Sequence, residues 1–253
     1  DYNRATYNNT TMPAISLGCS GYYSGRYFNG YMRNCKIWER KAYDPNTLLL
    51  LNGWNEGEDS HHDASMYKRP VYGYTEIINP GGLFNYAYEY TGDGGSFLDV
   101  QLAIQGGDFT IEYWINPHDL TDWIDQAIIS NNYAITSYLW WQNQGALHRL
   151  GDKVNLENLL TADWDVNTNR GYFQINQWYH IAIVGDGTTV NSYVDGQLMN
   201  QSNLVTQPNF ANENFRIGEL ITGSAPLNAM LAEIRISKKA RYSRDFTPPI
   251  KHK

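Results

Sequence analysis

The sequence predicts an all-β fold, an antiparallel two-sheet jelly-roll sandwich, and three observations carry that expectation. Tyr (20), Gly (22) and Asn are plentiful while charged residues make up only 18%, a balance that suits strands joined by tight polar turns. Short segments with period-two patterning, each bounded by Gly, Asn, Asp or Pro, follow one another from residue 48 to 246. Sustained helical periodicity is missing from that span except over "NLENLLTAD" (155 to 163), which is long enough for one turn or two. Many strands with regular turns and no crossover helices make a sandwich or jelly roll.

Taken in order, "AISLGCSGYYSGRYFNGYMRNCKIWERKAYDP" (14 to 45) reads as two strands around a long loop. "TLLLLNGWNEG" gives a buried strand ending in a turn, and its "LLLL" (48 to 51) is far short of the ~20 apolar residues of a membrane-spanning helix. "GSFLDVQLAI" (95 to 104) follows the Gly-rich "TGDGG", and "DFTIEYWINP" (108 to 117) alternates cleanly and stops at a Pro. Strands then follow in "DQAIISNN", "SYLWWQNQGALHRLG", "GYFQINQWYHIAIVGDG", "TVNSYVDGQLM", "NFRIGELI" and "MLAEIRIS". In "WYHIAIV", Trp178, His180 and Ala182 share one face and Tyr179, Ile181 and Ile183 the other. Both faces are apolar, so this strand belongs at the centre of a sheet, with His180 as a hydrogen-bonded sheet residue. Asp195-Gly196 is a type I′ hairpin signal.

The first strands echo the last. Leu17-Gly18 and Ile217-Gly218 are followed by Asn29, Gly30, Met32 and by Asn228, Ala229, Met230; then come Cys35-Lys36-Ile37 and Ile234-Arg235-Ile236, and the basic pairs Arg40-Lys41 and Lys238-Lys239. The offset is about 199 residues, one domain length. Residues 1 to 47 therefore read as the C-terminal strands of a preceding repeat, residues 48 to 249 as a complete domain and 250 to 253 as a tail. Two strands cannot build a core alone, so the leading segment must pack on other residues. The opening "DYNRATYNN", with neither an initiator Met nor a signal sequence, points to a processed product or a fragment.

Formal net charge is -7, which excludes nucleic acid as a partner held by clustered Lys and Arg. Cys19 and Cys35 would lie about 13 Å apart if their strands paired as a hairpin near Gly25, too far for a bridge, and are expected to be free thiols. That favours assembly in a reducing cytoplasm over secretion.

"DFTIEYWINP", "NQWYHIAIVGDGTTVNSYVDGQLM" and "LAEIRISKKARYSRDFTPP" resemble successive signatures of the concanavalin A-like lectin/glucanase fold in its laminin G-like branch. The resemblance spans 48 to 249, and 14 to 45 is similar to the family's C-terminal portion. The closing "ARYSRDFTPP" is most similar to laminin G-like modules of bacteriophage virion proteins such as tail fibres and decoration proteins. Glucanases of this fold place two Glu, with an Asp between, on one strand face. That spacing is missing here; the nearest same-face pair is Asp163 and Asp165, and the nearest acidic cluster is Glu56, Glu58 and Asp59. The expectation is a protein that is not an enzyme, with no catalytic residues.

Binding remains. Glycan recognition needs aromatic rings to stack on sugar faces, and the candidates are Trp123, Trp164, Trp140 and Tyr138, with Tyr133 and Trp141 beside them. The two loop residues Trp123 and Trp164 lead. Asp163, Asp165, Asn167 and Asn169 alternate like the oxygen donors of a calcium loop ending at Gly171, although a polar hairpin turn has the same composition. A melting temperature unchanged between excess calcium and chelator would discard a Ca2+ site there. No other cofactor is read from the sequence. His61-His62-Asp63 reads as a solvated loop, and the basic group Arg235, Lys238, Lys239, Arg241 and Arg244 as a solvated strand face or a contact to an adjacent module.

These features together lead to a structural component of a virion exterior or similar assembly, packing against other virion subunits or copies of itself and presenting loops outward, without membrane insertion. The alternative is a lectin or adhesin, extracellular or at a cell surface, that recognises a surface polysaccharide.

Overall fold

A computed structural model of the chain describes residues 44–53, 61–105, 108–119, 125–131, 136–140, 174–203 and 209–250. They fall within the second of two units of the chain, Ala42–Lys253. The expected leading repeat, with Cys19 and Cys35, lies outside the described residues up to Asp44.

Thirteen strands carry the described part: β1 (Thr47–Leu51), β2 (Val71–Tyr74), β3 (Glu76–Ile78), β4 (Ala87–Thr91), β5 (Phe97–Gln105), β6 (Asp108–Pro117) and β7 (Asp125–Asn131), then β8 (Thr136–Trp140), β9 (Tyr179–Asp186), β10 (Thr189–Val194), β11 (Gln197–Asn203), β12 (Asn209–Ile217) and β13 (Asn228–Ser237). The larger sheet runs β11-β10-β9-β6-β13-β4-β3 with β1 also on β13, and the smaller runs β2-β5-β12-β7-β8. Neighbouring strands are antiparallel throughout. This is the two-sheet jelly-roll sandwich that the patterning predicts.

Between the sheets, alternate residues of each strand meet. Phe109, Ile111, Tyr113 and Ile115 of β6 and Tyr179, Ile181 and Ile183 of β9 pack with Leu98, Val100, Leu102 and Ile104 of β5 and with Phe215 and Ile217 of β12. As read from the sequence, β9 is central, flanked by β6 and β10. β1 is buried on every residue; it pairs with β13 while Leu48, Leu49 and Leu51 pack in the core.

One flank of β13 is shared by two strands. β4 pairs with residues 228 to 231 and β1 with residues 234 to 237. The register slips between Ala232 and Arg235, where Glu233 has a φ of 50°. A bulge of this kind adds a residue on one strand and resets which side chains face in. Ala229 and Leu231 point into the core before it, and Ile234 and Ile236 after it.

The outer face of the larger sheet is covered by the C-terminal segment. Tyr242 and Phe246 stack with ring centroids 3.5 Å apart, and with Ala240 they pack on Ala182, Val184 and Tyr193. The Phe246 N–H donates to the Gly196 carbonyl at 2.9 Å, and the Trp114 indole N–H to the Pro249 carbonyl at 2.9 Å. Gly196 is needed at that hairpin: its φ is 77°, and a Cβ there would lie 1.8 Å from the Phe246 carbonyl oxygen. Asp195, with a φ of 49°, completes the expected turn and accepts the His180 N–H at 2.8 Å.

Two sequence expectations need correction. Asp63 is fully buried; its carboxylate accepts the N–H groups of Leu50, Ser65 and Arg69 and the Ser65 hydroxyl. Only His62 of that triplet is exposed, while His61 contacts the Thr75 carbonyl oxygen at 2.7 Å and stacks on Tyr88. A loop that crosses from one sheet to the other must satisfy its backbone donors, and Asp63 does so. The basic group is likewise not one solvated face. Arg235 is buried against Glu112, and Arg241 donates to Asp44, Thr47 and Ser237. Lys238 and Arg244 remain exposed.

Candidate functional site

Among the described residues, two places gather polar and aromatic side chains, and they differ in access. The first lies on the outer face of the larger sheet. Glu112 of β6 faces Arg235 of β13 directly across the ladder. Arg235 Nε donates to Glu112 Oε1 at 2.7 Å and the Tyr242 hydroxyl to Oε2 at 2.7 Å. His180 Nε2 is 3.5 Å from Oε2, and Arg241 Nε is 3.7 Å from Oε1. Burial, followed by the neighbouring Glu112, pushes the Tyr242 phenol well above its ordinary range. Glu112 and His180 have no exposed side-chain surface, because the C-terminal segment lies over them. The arrangement is an ion-pair network that anchors that segment.

The second place is open. β2 is the edge of the smaller sheet, and the sequence Val-Tyr-Gly-Tyr sets its alternation. Val71 packs on the core and Gly73 lies close against β5, where a Cβ would come within 2.3 Å of the Phe97 carbonyl oxygen. Tyr72 and Tyr74 are exposed, with 64% and 67% of their surface in solvent, and the Tyr74 ring meets His61 edge-on with centroids 6.4 Å apart. Two residues apart on a strand, they stand roughly 7 Å from each other.

Their cross-strand partners continue the surface. Tyr72 pairs with Asp99 of β5, which pairs with Arg216 of β12, which pairs with Ser130 of β7; Tyr74 pairs with Phe97. Arg216 lies over the Phe97 ring at 3.9 Å and donates through Nε and Nη2 to the two Asp99 oxygens at 2.8 Å each. Its Nη1 donates to Glu219 Oε1 at 2.9 Å. The hydrogen bond to Asp99 raises the Arg216 pKa above its ordinary value, although burial opposes it. Gln101, next on the same face of β5, is exposed. Aromatic faces thus stand beside carboxylate and amide oxygens on a rigid sheet.

Of the glycan and calcium candidates singled out from the sequence, only Tyr138 and Trp140 have a described place. Trp123, Trp164, Tyr133, Trp141 and the calcium candidates Asp163, Asp165, Asn167 and Asn169 are outside the described residues. Tyr138 and Trp140 sit on β8, opposite Ala127 and Asp125 of β7, at the far edge of the smaller sheet from β2. Tyr72 and Tyr74 were missed because "VYGY" is short and interrupted by Gly. The alternation itself was the available signal. Among the described residues, no group of three or more His, Cys, Asp or Glu could hold a metal ion.

Residues 91–245 match the model of a family in the concanavalin A-like lectin/glucanases superfamily. No curated protein matches the chain. Among solved structures, the botulinum neurotoxin serotype D ligand binding domain in complex with N-acetylneuraminic acid is similar with a TM-score of 0.56 at 14% identity, over 78% of this chain and 48% of that one. The binding domain of Paraclostridial mosquitocidal protein 1 gives 0.54 at 18% identity, over 78% and 50%. The botulinum neurotoxin serotype G binding domain gives 0.51 at 15% identity, over 78% and 49%. The chain spans about half the length of these structures, and at such identities the likeness concerns the fold alone. The match over residues 91–245, which covers the sandwich from the end of β4 into the C-terminal segment, establishes that the chain belongs to the concanavalin A-like lectin/glucanases superfamily.

Proposed function

We propose that the domain is a non-catalytic, glycan-binding module of lectin type, working at the outside of a cell or particle. The observation that carries this reading is the exposed pair Tyr72 and Tyr74 on an edge strand of a lectin-superfamily sandwich. Phenol rings bury the apolar C–H faces of sugar rings, and nearby carboxylate and amide oxygens accept sugar hydroxyls. A sheet holds both sets in place without ordering a loop on binding, which lowers the entropic cost of association. The toxin binding domains of the same fold support a binding role in general terms, including one solved with a sialic acid. Against hydrolysis stands Glu112, which is engaged by arginines and covered by chain.

The test is binding of the purified chain to an array of surface polysaccharides, with calcium and with chelator. Saturable, competable binding is expected. Absence of binding by folded protein would refute the reading, and a calcium requirement would point to Asp163, Asp165, Asn167 and Asn169.

A structural role in a virion or similar exterior assembly is the second reading. It rests on the echo of residues 214 to 246 in residues 14 to 45, which suits a tandem array of such modules, and on the phage-like closing motif. Defined oligomers of the purified chain in light scattering, sensitive to salt, would favour it; a monomer at all concentrations would count against it.

A further inference from the structure

The ligand class of the Tyr72 and Tyr74 face follows from its charges, and this inference rests on the lectin reading above. Arg216 is the cation of the cross-strand row, and it is already neutralised: three of its N–H donors go to Asp99 and Glu219, and its plane lies on Phe97. Asp99 in the row and the buried Glu219 just beyond β12 thus set two carboxylates against one guanidinium. An anionic sugar laid on the tyrosines would meet that excess within a Debye length and would find the Arg216 charge spent. An uncharged sugar has no such penalty, since its hydroxyls donate to the partly exposed Asp99 oxygens, which keep acceptor capacity beyond their bonds to arginine. The chain as a whole carries a net charge of -7 and offers no compensating long-range attraction for anions.

We propose that the outer face of the smaller sheet, built by Tyr72, Tyr74, Asp99, Gln101 and Arg216, binds uncharged polysaccharide and discriminates against sialylated and uronate-containing glycans. Both tyrosines belong to one short edge strand, where an extended chain can touch the two in succession.

The experiment compares retention of the full chain on uncharged glucans, mannans and galactans with retention on sialylated glycans and polyuronates, at low and high salt. Expected are binding to one or more uncharged polymers with little salt dependence and a loss of about tenfold in affinity for each of Tyr72→Ala and Tyr74→Ala. Tyr72→Phe should retain most of the affinity, and the melting temperature of each variant should match the parent. Salt-sensitive binding to anionic glycans alone would overturn the ligand class while leaving the lectin reading intact. Binding to uncharged glycans that survives both alanine variants would overturn the site. No binding to any glycan would overturn both, and a tyrosine-dependent self-association in its place would assign the face to protein contacts.

Discussion

Asp63 shows how much one residue can organise. Its carboxylate collects the Leu50 N–H of β1 and, from the segment that leads to β2, the Ser65 and Arg69 N–H groups and the Ser65 hydroxyl. Replacing it with Ala leaves buried donors without an acceptor, and a loss of about 3 kcal/mol is expected, read as a lowered urea midpoint at unchanged slope. Asn should recover part, since its amide oxygen still accepts. Asp44 acts at the other end of β1. Burial works against its charge, but the Asn46 N–H and Arg241 hold its carboxyl well below the usual carboxylate value of 3.8. A depressed folded pKa stabilises above the unfolded value and ceases to do so as pH falls through the folded one. The stability difference between the parent and Asp44→Asn should therefore be full at neutral pH and narrow below about pH 4. Melting curves over a pH series check this; a constant difference would remove the ion pair with Arg241 from the account.

At the scale of elements, β13 and β6 define the larger sheet. Their direct pairing brings Glu112 and Arg235 together on a face that the C-terminal segment then closes. Removing one partner of a buried ion pair strands the other, so Glu112→Gln should cost about 3–5 kcal/mol. The double variant Glu112→Leu with Arg235→Met should cost less than the sum of the single changes, which a double-mutant cycle in denaturant would measure. Additive losses would show that the two side chains act independently. The strands of this sheet were largely legible in the sequence because β6, β9 and β13 run for eight to ten residues, long enough for their apolar alternation to stand out. The segment from 71 to 91 was not. β2, β3 and β4 have three to five residues each, and a strand that short offers too few alternations to be separated from loop.

For the whole molecule, the C-terminal segment joins parts that the chain order keeps far apart. Residues 238 to 250 reach the turn before β1 through Lys238, β6 through Thr110 and Trp114, and the β10–β11 hairpin through Gly196 and Leu198. Ending the chain at Ala240 should uncover Ala182, Val184 and Tyr193. A lowered melting temperature together with increased binding of a hydrophobic dye is expected; unchanged values for both would mean that the segment merely rests on the sheet. On the smaller sheet, Tyr72 and Tyr74 of β2 are exposed, where a ligand can reach them.

The sequence by itself determined the fold class, the central place of β9, the hairpin at Asp195-Gly196 and the superfamily, because these depend on local alternation and turn chemistry that neighbouring residues encode. Tertiary structure decided which polar residues are buried and which aromatics are free. Asp63 looked solvated and is internal, Arg235 looked like surface and is paired, and Tyr72 and Tyr74 drew no notice yet stand exposed beside Asp99 and Arg216. The physical reason is that burial and charge pairing depend on strands that meet from distant parts of the chain, and alternation within one strand cannot say which face the rest of the molecule will cover.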